Sequence, residues 1–328
     1  MNRETFLAAL CGCLSALNEA ERAQVVSYYE ELIDDAVENG GSEEEVLSSF
    51  DAPEAIARQI LKEYGNTAPT PGPDGPNCYK PLAPGHAVHV EAHNIRVVVR
   101  AAAISVPRIL FTPYRSDIVT TEERDGVFYF YHRSKIFSWS WLDLLRGPHE
   151  IVVELPHDFA GELFIKTSNA AVRAEGLSKL AEGSFTSQNG KVLLENITCR
   201  KLFARSGNAG IVLTNVTGDT VSAVTSNARI TATACSIGQS CSLTTSNAAL
   251  RLEDISCPCL SLKTSNAAVT GTVVGDVRDY AIRSHTSNAS NNLPPEFVFP
   301  EQTRSLTVKT SNARINLQFI PSPGAPTL

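Results

Sequence analysis

The tetrapeptide Thr-Ser-Asn-Ala constrains the fold of this chain more than any other feature, because it occurs six times at nearly regular spacing. Two related tetrapeptides, Ser-Gln-Asn-Gly and Ser-Gly-Asn-Ala, fill the gap between the first and second copies. The asparagines follow one another at steps of 20, 19, 19, 20, 19, 22 and 24 residues. Such a step is typical of a solenoid, in which each repeat is one supersecondary unit that stacks on the next. The eight asparagines are Asn169, Asn189, Asn208, Asn227, Asn247, Asn266, Asn288 and Asn312.

The side chains on either side of each asparagine alternate between apolar and polar, as they do in half-buried strands. Before Asn227, Val221 and Ala223 stand at even distances from the asparagine, whereas Ile230 and Ala232 stand at odd distances after it. This change of parity predicts that the chain turns a corner at Ser-Asn. We expect the asparagine to adopt the left-handed conformation there, which this residue type tolerates. Apolar residues also recur eight positions after the asparagine and predict a third inward-facing side.

The repeats predict a right-handed parallel β-helix with one repeat of 19–20 residues per turn, since parallel crossovers are almost always right-handed. Stacking should bring successive asparagines about 4.8 Å apart, the spacing of neighbouring strands. Their side-chain amides are then expected to form a structural ladder of hydrogen bonds. We expect the regular repeats over residues 161–320, an N-terminal capping part of the solenoid over residues 85–160, and a proline-rich tail over residues 321–328.

Residues 1–65 are predicted to be helical, so the fold class is multidomain α + β, with a small all-α bundle before the solenoid. Apolar residues recur there three or four positions apart, as on the buried face of a helix. Ser42 and Glu45 form a predicted capping box, and Gly65 is expected to end the last helix. Residues 66–84 are rich in proline and glycine and predict an extended linker.

Four short motifs follow one another in the helical segment: Tyr28-Tyr29-Glu30-Glu31, Ile33-Asp34-Asp35, Ser42-Glu43-Glu44-Glu45 and Pro53-Glu54-Ala55-Ile56-Ala57. In order and spacing they resemble the HAAS-type helical signalling domain of Gram-positive bacteria. In that family the domain usually precedes membrane spans and is associated with PadR-like transcriptional regulators. The resemblance therefore implies a protein partner bound through residues 1–65. The candidate contact residues are Tyr28, Tyr29, Glu30, Glu31, Asp34 and Asp35.

The repeat region has a family resemblance of its own, covering about residues 86–319. Its pattern of a strand ending in Leu-Pro, a glycine, two alternating apolar residues and Thr-Ser-Asn-Ala resembles the putative-adhesin domains of unknown function that often follow a HAAS-type domain. The residues that carry this resemblance are Val153, Leu155, Pro156, Gly161, Leu163, Ile165 and Val172. The resemblance implies a β-solenoid and leaves its ligand open.

Charge is divided unequally along the chain. Residues 1–66 contain 14 acidic and 4 basic residues, a net charge of −10, whereas the remainder has a net charge of +3. Direct nucleic-acid binding is not expected, because phosphate contacts need clustered Lys and Arg. No signal peptide and no run of eighteen apolar residues is found, so we expect a cytoplasmic protein without a membrane span. Peripheral association with a membrane remains compatible with this pattern.

Neither a cofactor nor a metal ion is expected. Cys235, Cys241, Cys257 and Cys259 are close in sequence, but the first two occupy core positions of the repeat, where cysteine serves as a small apolar residue. A polysaccharide-acting β-helix enzyme would need converging carboxylates. The acidic residues near the repeats fall in different repeats and recur at no fixed position, so no catalytic residue is assigned; they include Glu253, Asp254, Asp276 and Asp279.

The sequence therefore favours a non-catalytic scaffold or signalling protein in which the helical segment binds a protein and the solenoid presents a rigid surface. The alternative is a carbohydrate- or cell-envelope-binding, adhesin-like solenoid. Proline-rich segments near the C-terminus disfavour further strand pairing and predict a monomeric rod. Outward-facing positions, such as Lys166, Lys263 and Lys309, are the expected contact sites of the solenoid.

Overall fold

The computed structural model describes residues 2–17, 22–23, 25–26, 29–30, 33, 42–66, 77–81, 86–113, 117–134 and 150–321. They divide into two compact units, with the helices in one and all of the strands in the other. The chain thus consists of a small helical region followed by a large, mostly β domain with a solenoid-like fold.

The helical unit contains α1 (Arg3–Cys13), α2 (Glu43–Ser49) and α3 (Pro53–Asn66). The predicted capping box is confirmed: the Ser42 hydroxyl accepts from the Glu45 amide, and the Glu45 carboxylate accepts from the Ser42 amide. The second predicted helix lies largely outside the described residues. The apolar face predicted from the spacing is buried and includes Phe6, Leu7, Leu10, Leu14, Leu17, Val25, Ile33, Leu47, Ile56 and Ile60.

The β unit contains twenty described strands that belong to one sheet. The first ten are β1 (Asn77–Tyr79), β2 (Ala87–Ala92), β3 (Arg96–Ala102), β4 (Arg108–Phe111), β5 (Asp117–Arg124), β6 (Val127–Ser134), β7 (Glu150–Pro156), β8 (Glu162–Thr167), β9 (Val172–Ser187) and β10 (Val192–Ser206). The others are β11 (Ile211–Val224), β12 (Ile230–Thr233), β13 (Ser236–Thr244), β14 (Leu250–Ile255), β15 (Cys259–Lys263), β16 (Val269–Val274), β17 (Tyr280–His285), β18 (Glu296–Phe297), β19 (Arg304–Lys309) and β20 (Ile315–Ile320).

Equivalent strands of successive repeats pair in parallel and in register. Val192 in β10, for example, pairs with Val172 in β9 and with Ile211 in β11. Each strand therefore stacks its inward-facing side chains on those of the next repeat. The third inward side is also confirmed, since the residues eight positions after the asparagines are buried: Leu177, Ile197, Val216, Cys235, Ile255 and Val274.

The left-handed turn is not where the sequence placed it. None of the eight repeat asparagines has a positive φ; the prediction that they adopt the left-handed conformation was wrong. They bend at negative φ, because backbone amides at the corner donate to the serine carbonyl of the neighbouring repeat, as from Asn247 to Ser226 at 3.0 Å. The positive φ values occur seven residues later instead, at Gly176, Asn196, Asn215, Ala234 and Asp254.

The repeats at both ends of the sheet do not stack in sequence order, although we expected successive stacking. Near the N-terminal end, β2 lies between β6 and β8, and β3 lies between β7 and β9. Near the C-terminal end, β19 lies between β15 and β17, and β20 pairs with β16. The repeat of Asn312 thus fills a position between those of Asn266 and Asn288. The step of 24 residues from Asn288 to Asn312 is the longest, and it gives the chain enough length to return to the position beside Asn266.

Antiparallel strands flank the parallel stack. β5 pairs with β6 through a tight turn at Asp125 and Gly126, both with positive φ, as the Asp-Gly hairpin signal indicated. β4 pairs with β7, and β1 pairs with β4. Residues 66–84 were predicted to be an extended linker, but β1 lies within this segment. Cys78 pairs with Leu110, so this part of the segment belongs to the sheet. Within residues 85–160, predicted to be a capping part, β2 and β3 form a stacked repeat.

Candidate functional site

The repeat asparagines form one continuous row of hydrogen-bonded side chains, which we call the asparagine ladder. Each Nδ2 donates to the Oδ1 of the neighbouring repeat, with N–O distances of 2.5–2.8 Å. The ladder follows the stacking order and not the sequence order at its C-terminal end. Its members, all solvent-exposed except for their mutual contacts, are Asn94, Asn169, Asn189, Asn208, Asn227, Asn247, Asn266, Asn312 and Asn288.

Asn94 belongs to the ladder although its surrounding sequence lacks the tetrapeptide. It accepts from the Asn169 side chain and from the Ser168 hydroxyl. Its backbone φ is 56°, unlike that of the other ladder asparagines. The alternating apolar residues on both sides of Asn94 predict an early repeat with a degenerate corner, but the predicted ladder did not include this asparagine.

The first residue of the tetrapeptide is bound inside the fold. Its hydroxyl donates to the backbone carbonyl of the small residue after the asparagine in the neighbouring repeat. For Thr264 and Ala248 the distance is 3.0 Å, and Ser187 makes the same bond to Ala170 at 2.9 Å. Thr264 is only 2% exposed. The hydroxyl is thus bonded to a backbone carbonyl and the asparagine amide to the next asparagine, so both groups are engaged before any ligand arrives.

Two of the six candidate contact residues of the helical region are described. The half-buried Tyr29 ring packs against Phe6, with ring centres 5.9 Å apart, and meets Phe50 edge-on at 5.5 Å. The exposed Glu30 carboxylate lies 3.3 Å from the guanidinium of Arg3. Tyr29 thus contributes to the core, whereas Glu30 faces solvent. The other four, Tyr28, Glu31, Asp34 and Asp35, lie outside the described residues.

The buried cysteines are poorly suited to nucleophilic or ligating roles. Burial raises the pKa of Cys199 to about 12 and that of Cys257 to about 11, and it raises the pKa of Cys235 and Cys241 as well. Burial therefore disfavours the ionised form of the thiol, which is the form that attacks or binds a metal. In the part of the chain that the structure describes, no three His, Cys, Asp or Glu side chains could hold a metal ion together.

The acidic residues near the repeats are used locally. Asp254 accepts a hydrogen bond from the Thr272 hydroxyl at 2.9 Å. The Asp276 carboxylate accepts from the side chain and the backbone amide of Arg278, which lower the pKa of Asp276 to about 2. Each carboxylate has its own neighbour, and the two belong to different repeats.

Two buried ionic groups lie in the N-terminal part of the β unit. Glu154 on β7 accepts hydrogen bonds from Arg100 on β3 at 2.7 Å and from Arg108 on β4 at 2.6 Å. His132 Nε2 lies 3.2 Å from the carboxylate of Asp117, and both side chains are almost completely buried. These contacts connect the flanking strands with the stack.

An aromatic surface, which the sequence reading missed, lies on the outer side of three neighbouring strands. Tyr129 on β6 pairs with His89 on β2, which pairs with Phe164 on β8, and Tyr131 stands two residues from Tyr129. Ring centres are separated by 5.3 Å between His89 and Tyr129 and by 6.0 Å between His89 and Phe164. We call these four residues the aromatic cluster. The signal is scattered over 75 residues of sequence and is assembled only by strand pairing.

The predicted outward-facing lysines are exposed, but their surroundings differ. The Lys166 ammonium lies beside the aromatic cluster and pairs with Glu91 at 2.8 Å. Lys263 and Lys309 are paired in register on β15 and β19, and His285 follows on β17. The outer surface therefore carries aromatic and mixed charged groups at its N-terminal end and a basic row at its C-terminal end.

The fold and these sites define a two-part protein with a HAAS-like helical region and a repetitive β domain. The family model HAAS matches residues 5–59, which confirms the resemblance of the helical region. No curated protein matches this chain. No described helix is long and apolar enough to cross a membrane.

Three solved structures resemble the β part of the chain. They are a putative cell adhesion protein from Clostridium sporogenes (10% identity, TM-score 0.24, covering 75% of this chain and 100% of that one), a putative adhesin from Parabacteroides merdae (13%, 0.37, 75% and 98%), and a putative adhesin from Bacteroides fragilis (8%, 0.34, 74% and 95%). At these TM-scores the likeness is remote.

Proposed function

We propose that this chain is a non-catalytic binding protein whose helical region docks a protein partner, a PadR-like regulator, while the β domain presents a rigid surface. The observation that carries the proposal is the HAAS match over residues 5–59. A regulator of transcription works in the cytoplasm, so the complex is assigned there. The β domain is taken to be a right-handed parallel β-helix that acts as a monomeric rod.

The electrostatics of the helical region support a basic protein partner. Its net charge is −10 over residues 1–66, and the first turn of α2 exposes three consecutive carboxylates, Glu43, Glu44 and Glu45. Hydrogen bonds from Ser42 lower the pKa of Glu45, which stays ionised. Complementary charge accelerates association and fixes the orientation of a partner more than it adds affinity.

The organisation of the β domain supports a role in presentation. Its backbone groups are paired from repeat to repeat, and the asparagine ladder connects the corners. The inward positions repeat the same residue types, whereas the outward positions vary from aromatic to hydroxyl-bearing to basic along the stack. A fixed framework with a variable outer surface is the design of binding solenoids.

Binding of the full chain to purified candidate PadR-like regulators tests the docking proposal. Charge reversal at Asp34 and Asp35 is expected to weaken binding at least about tenfold, because it removes two candidate acidic contacts. A matched double reversal at the exposed residues Glu195 and Glu253 of the β domain should leave binding unchanged. The proposal fails if no regulator binds, or if both double variants bind alike.

The second candidate function is carbohydrate or cell-envelope binding by the β domain. The aromatic cluster favours it, because aromatic rings exposed on a rigid sheet are not required by the core. This candidate does not exclude the first, since it concerns the other unit of the chain.

A further inference from the structure

We infer that the aromatic cluster binds a glycan chain of β-linked pyranose rings, whose apolar C–H faces contact the aromatic side chains. The inference rests on the proposed role of the β domain as a binding surface and names the ligand class and the residues. It concerns Tyr129, Tyr131, His89 and Phe164 on the outer side of β6, β2 and β8.

The cluster is continuous and its rings are similarly inclined. Tyr129 and Tyr131 are nearly parallel, with an interplanar angle of 7° and ring centres 5.9 Å apart. The His89 ring is tilted by 33° from Tyr129 and by 31° from Phe164. All four side chains are half-buried, so part of each ring faces solvent. Strand pairing fixes their spacing, and a ligand would find them already in place.

The fold does not require aromatic residues at these positions. Phe164 stands five residues before its asparagine, and other repeats place small hydroxyl residues at the same position. The small hydroxyl residues at the position equivalent to Phe164 are Ser184, Ser222, Ser242, Ser261 and Thr307. Four serines and one threonine at this position, together with Phe203 and Arg283 in two further repeats, show that the stack accepts different side chains there. Packing therefore does not require the four aromatic side chains of the cluster, and we attribute their concentration at one end to binding.

Polar groups border the rings on both sides. The ion pair of Glu91 and Lys166 lies in the adjacent row, with Glu91 paired in register to Tyr131. On the other side, the Arg124 guanidinium carbon lies 5.4 Å from the centre of the Tyr129 ring, and Arg124 is 3.9 Å from Glu122. Burial lowers the pKa of His89, and the charge of Lys166 adds to this effect while that of Glu91 opposes it.

This combination fits a saccharide better than an apolar protein surface. A pyranose ring presents weakly positive C–H bonds on its faces, which are attracted to the negative faces of aromatic rings. Its hydroxyls lie at the edges and both donate and accept hydrogen bonds. The carboxylates and cationic groups that border the cluster supply hydrogen-bond acceptors and donors for these hydroxyls. A helix docked by its apolar face would leave these charges without partners.

Calorimetric titration of the full chain with chitohexaose and with cellohexaose tests the inference. Binding of at least one of these oligosaccharides is expected. The substitution Phe164→Ser should weaken it roughly tenfold, the effect of losing one aromatic contact. Phe203→Ser is the matched control, because Phe203 occupies the same position two repeats further along and is exposed, yet lies outside the cluster. It should leave the affinity unchanged.

Both variants are expected to unfold at the temperature of the wild type, since serine occupies this position in neighbouring repeats. Tyr131→Thr provides a second loss-of-ring variant should Phe164→Ser be unstable. The inference is overturned if neither oligosaccharide binds, or if the cluster variants and Phe203→Ser bind alike. Regulator binding is measured on the same proteins. If the wild type binds the regulator but no oligosaccharide, the glycan inference alone is overturned. The effect of the Asp34 and Asp35 reversal on regulator binding tests only the docking proposal.

Discussion

At the scale of single residues, the tetrapeptide is explained by contacts within the fold. Thr264 donates to a backbone carbonyl of the neighbouring repeat, and Asn266 continues the asparagine ladder. The buried hydroxyl avoids leaving a polar group without a partner, which would cost about 1–3 kcal/mol. Six copies of one tetrapeptide therefore reflect a recurring structural requirement of the stack.

Removing one amide from the middle of the ladder should measurably destabilise the β domain. Asn247→Ala breaks the bond to Asn227 at 2.7 Å and the bond from Asn266 at 2.8 Å. We expect the free energy of unfolding in urea to fall by about 1–2 kcal/mol, a modest value because the ladder is exposed. Asn316→Ala is the control, since Asn316 is also an exposed asparagine but lies outside the ladder. Equal losses in the two variants would contradict a structural ladder.

The buried carboxylate Glu154 gives the β domain a pH dependence. Burial raises its pKa, but hydrogen bonds and charge from Arg100 and Arg108 outweigh burial and leave the pKa below the ordinary value of 4.5. A lowered pKa in the folded state contributes stability above the unfolded pKa, and this stability is lost as the pH falls through the folded value. Acidification below about pH 4.5 should therefore weaken the contacts of β7 with β3 and β4.

Glu154→Gln tests this contribution. The variant should be less stable than the wild type by about 2 kcal/mol at pH 7, the usual value for a hydrogen bond to a charged group. The difference should shrink as the pH falls below the unfolded pKa. Glu150→Gln on the same strand is the control, because the half-buried Glu150 lies 3.9 Å from the exposed Arg96, and such a long pair at the surface should matter little. A constant difference across pH would rule out this account.

At the scale of elements, the main finding is that both ends of the stack depart from sequence order. β19 and β20 are the last described strands, yet β19 lies between β15 and β17, and β20 pairs with β16 on one side and meets Asn291 and Asn292 on the other. The Asn292 side chain accepts from the Leu317 amide at 3.0 Å and donates to the Leu317 carbonyl at 2.7 Å. It takes the place of a strand at the edge of β20. The C-terminal repeat is thus an internal part of the sheet and not an appended terminal turn.

Deleting residues 303–328 should therefore unfold more than the repeat that it removes. Within the described pairings, β17 contacts β19 on one side and the two-residue β18 on the other. Without β19, we expect hydrogen-exchange protection of residues 280–292 to fall to that of a fraying terminus. A chain that ends after residue 321 keeps every described strand and is the control. Unchanged protection of residues 280–292 in the deletion variant would show that β17 is held by other contacts.

At the scale of the whole molecule, charge and surface chemistry separate two roles. The acidic helical region has the charge of a protein-docking module, and the β domain carries its aromatic and basic groups at opposite ends of one outer surface. The carboxylates near the repeats, such as Asp254 and Asp276, are each satisfied by a local partner. The two experiments proposed above address the proposed docking by the helical region and the proposed glycan binding by the β domain separately.

Local patterns in the sequence predicted the elements and the inward-facing residues of each repeat. Periodicity two before and after Asn227 follows directly from strand geometry, so it identified the buried positions without a structure. The capping box at Ser42 was equally local, because its two hydrogen bonds span only three residues. The position of the left-handed turn was missed, because the repeated asparagine drew attention away from the position seven residues later. Gly176, Asn196, Asn215 and Asp254 at that position are residue types that tolerate positive φ, whereas Ala234 is not.

By itself, then, the sequence determined a helical region followed by stacked strands with a hydrogen-bonded corner, because these properties depend on neighbours close in the chain or one repeat away. Only the tertiary structure decided the stacking order at both ends, the membership of Asn94 in the ladder and the aromatic cluster of Tyr129, His89 and Phe164. Each depends on which distant strands pair. The near-identical repeats permit several orders of pairing, and the packing of the complete sheet selects one.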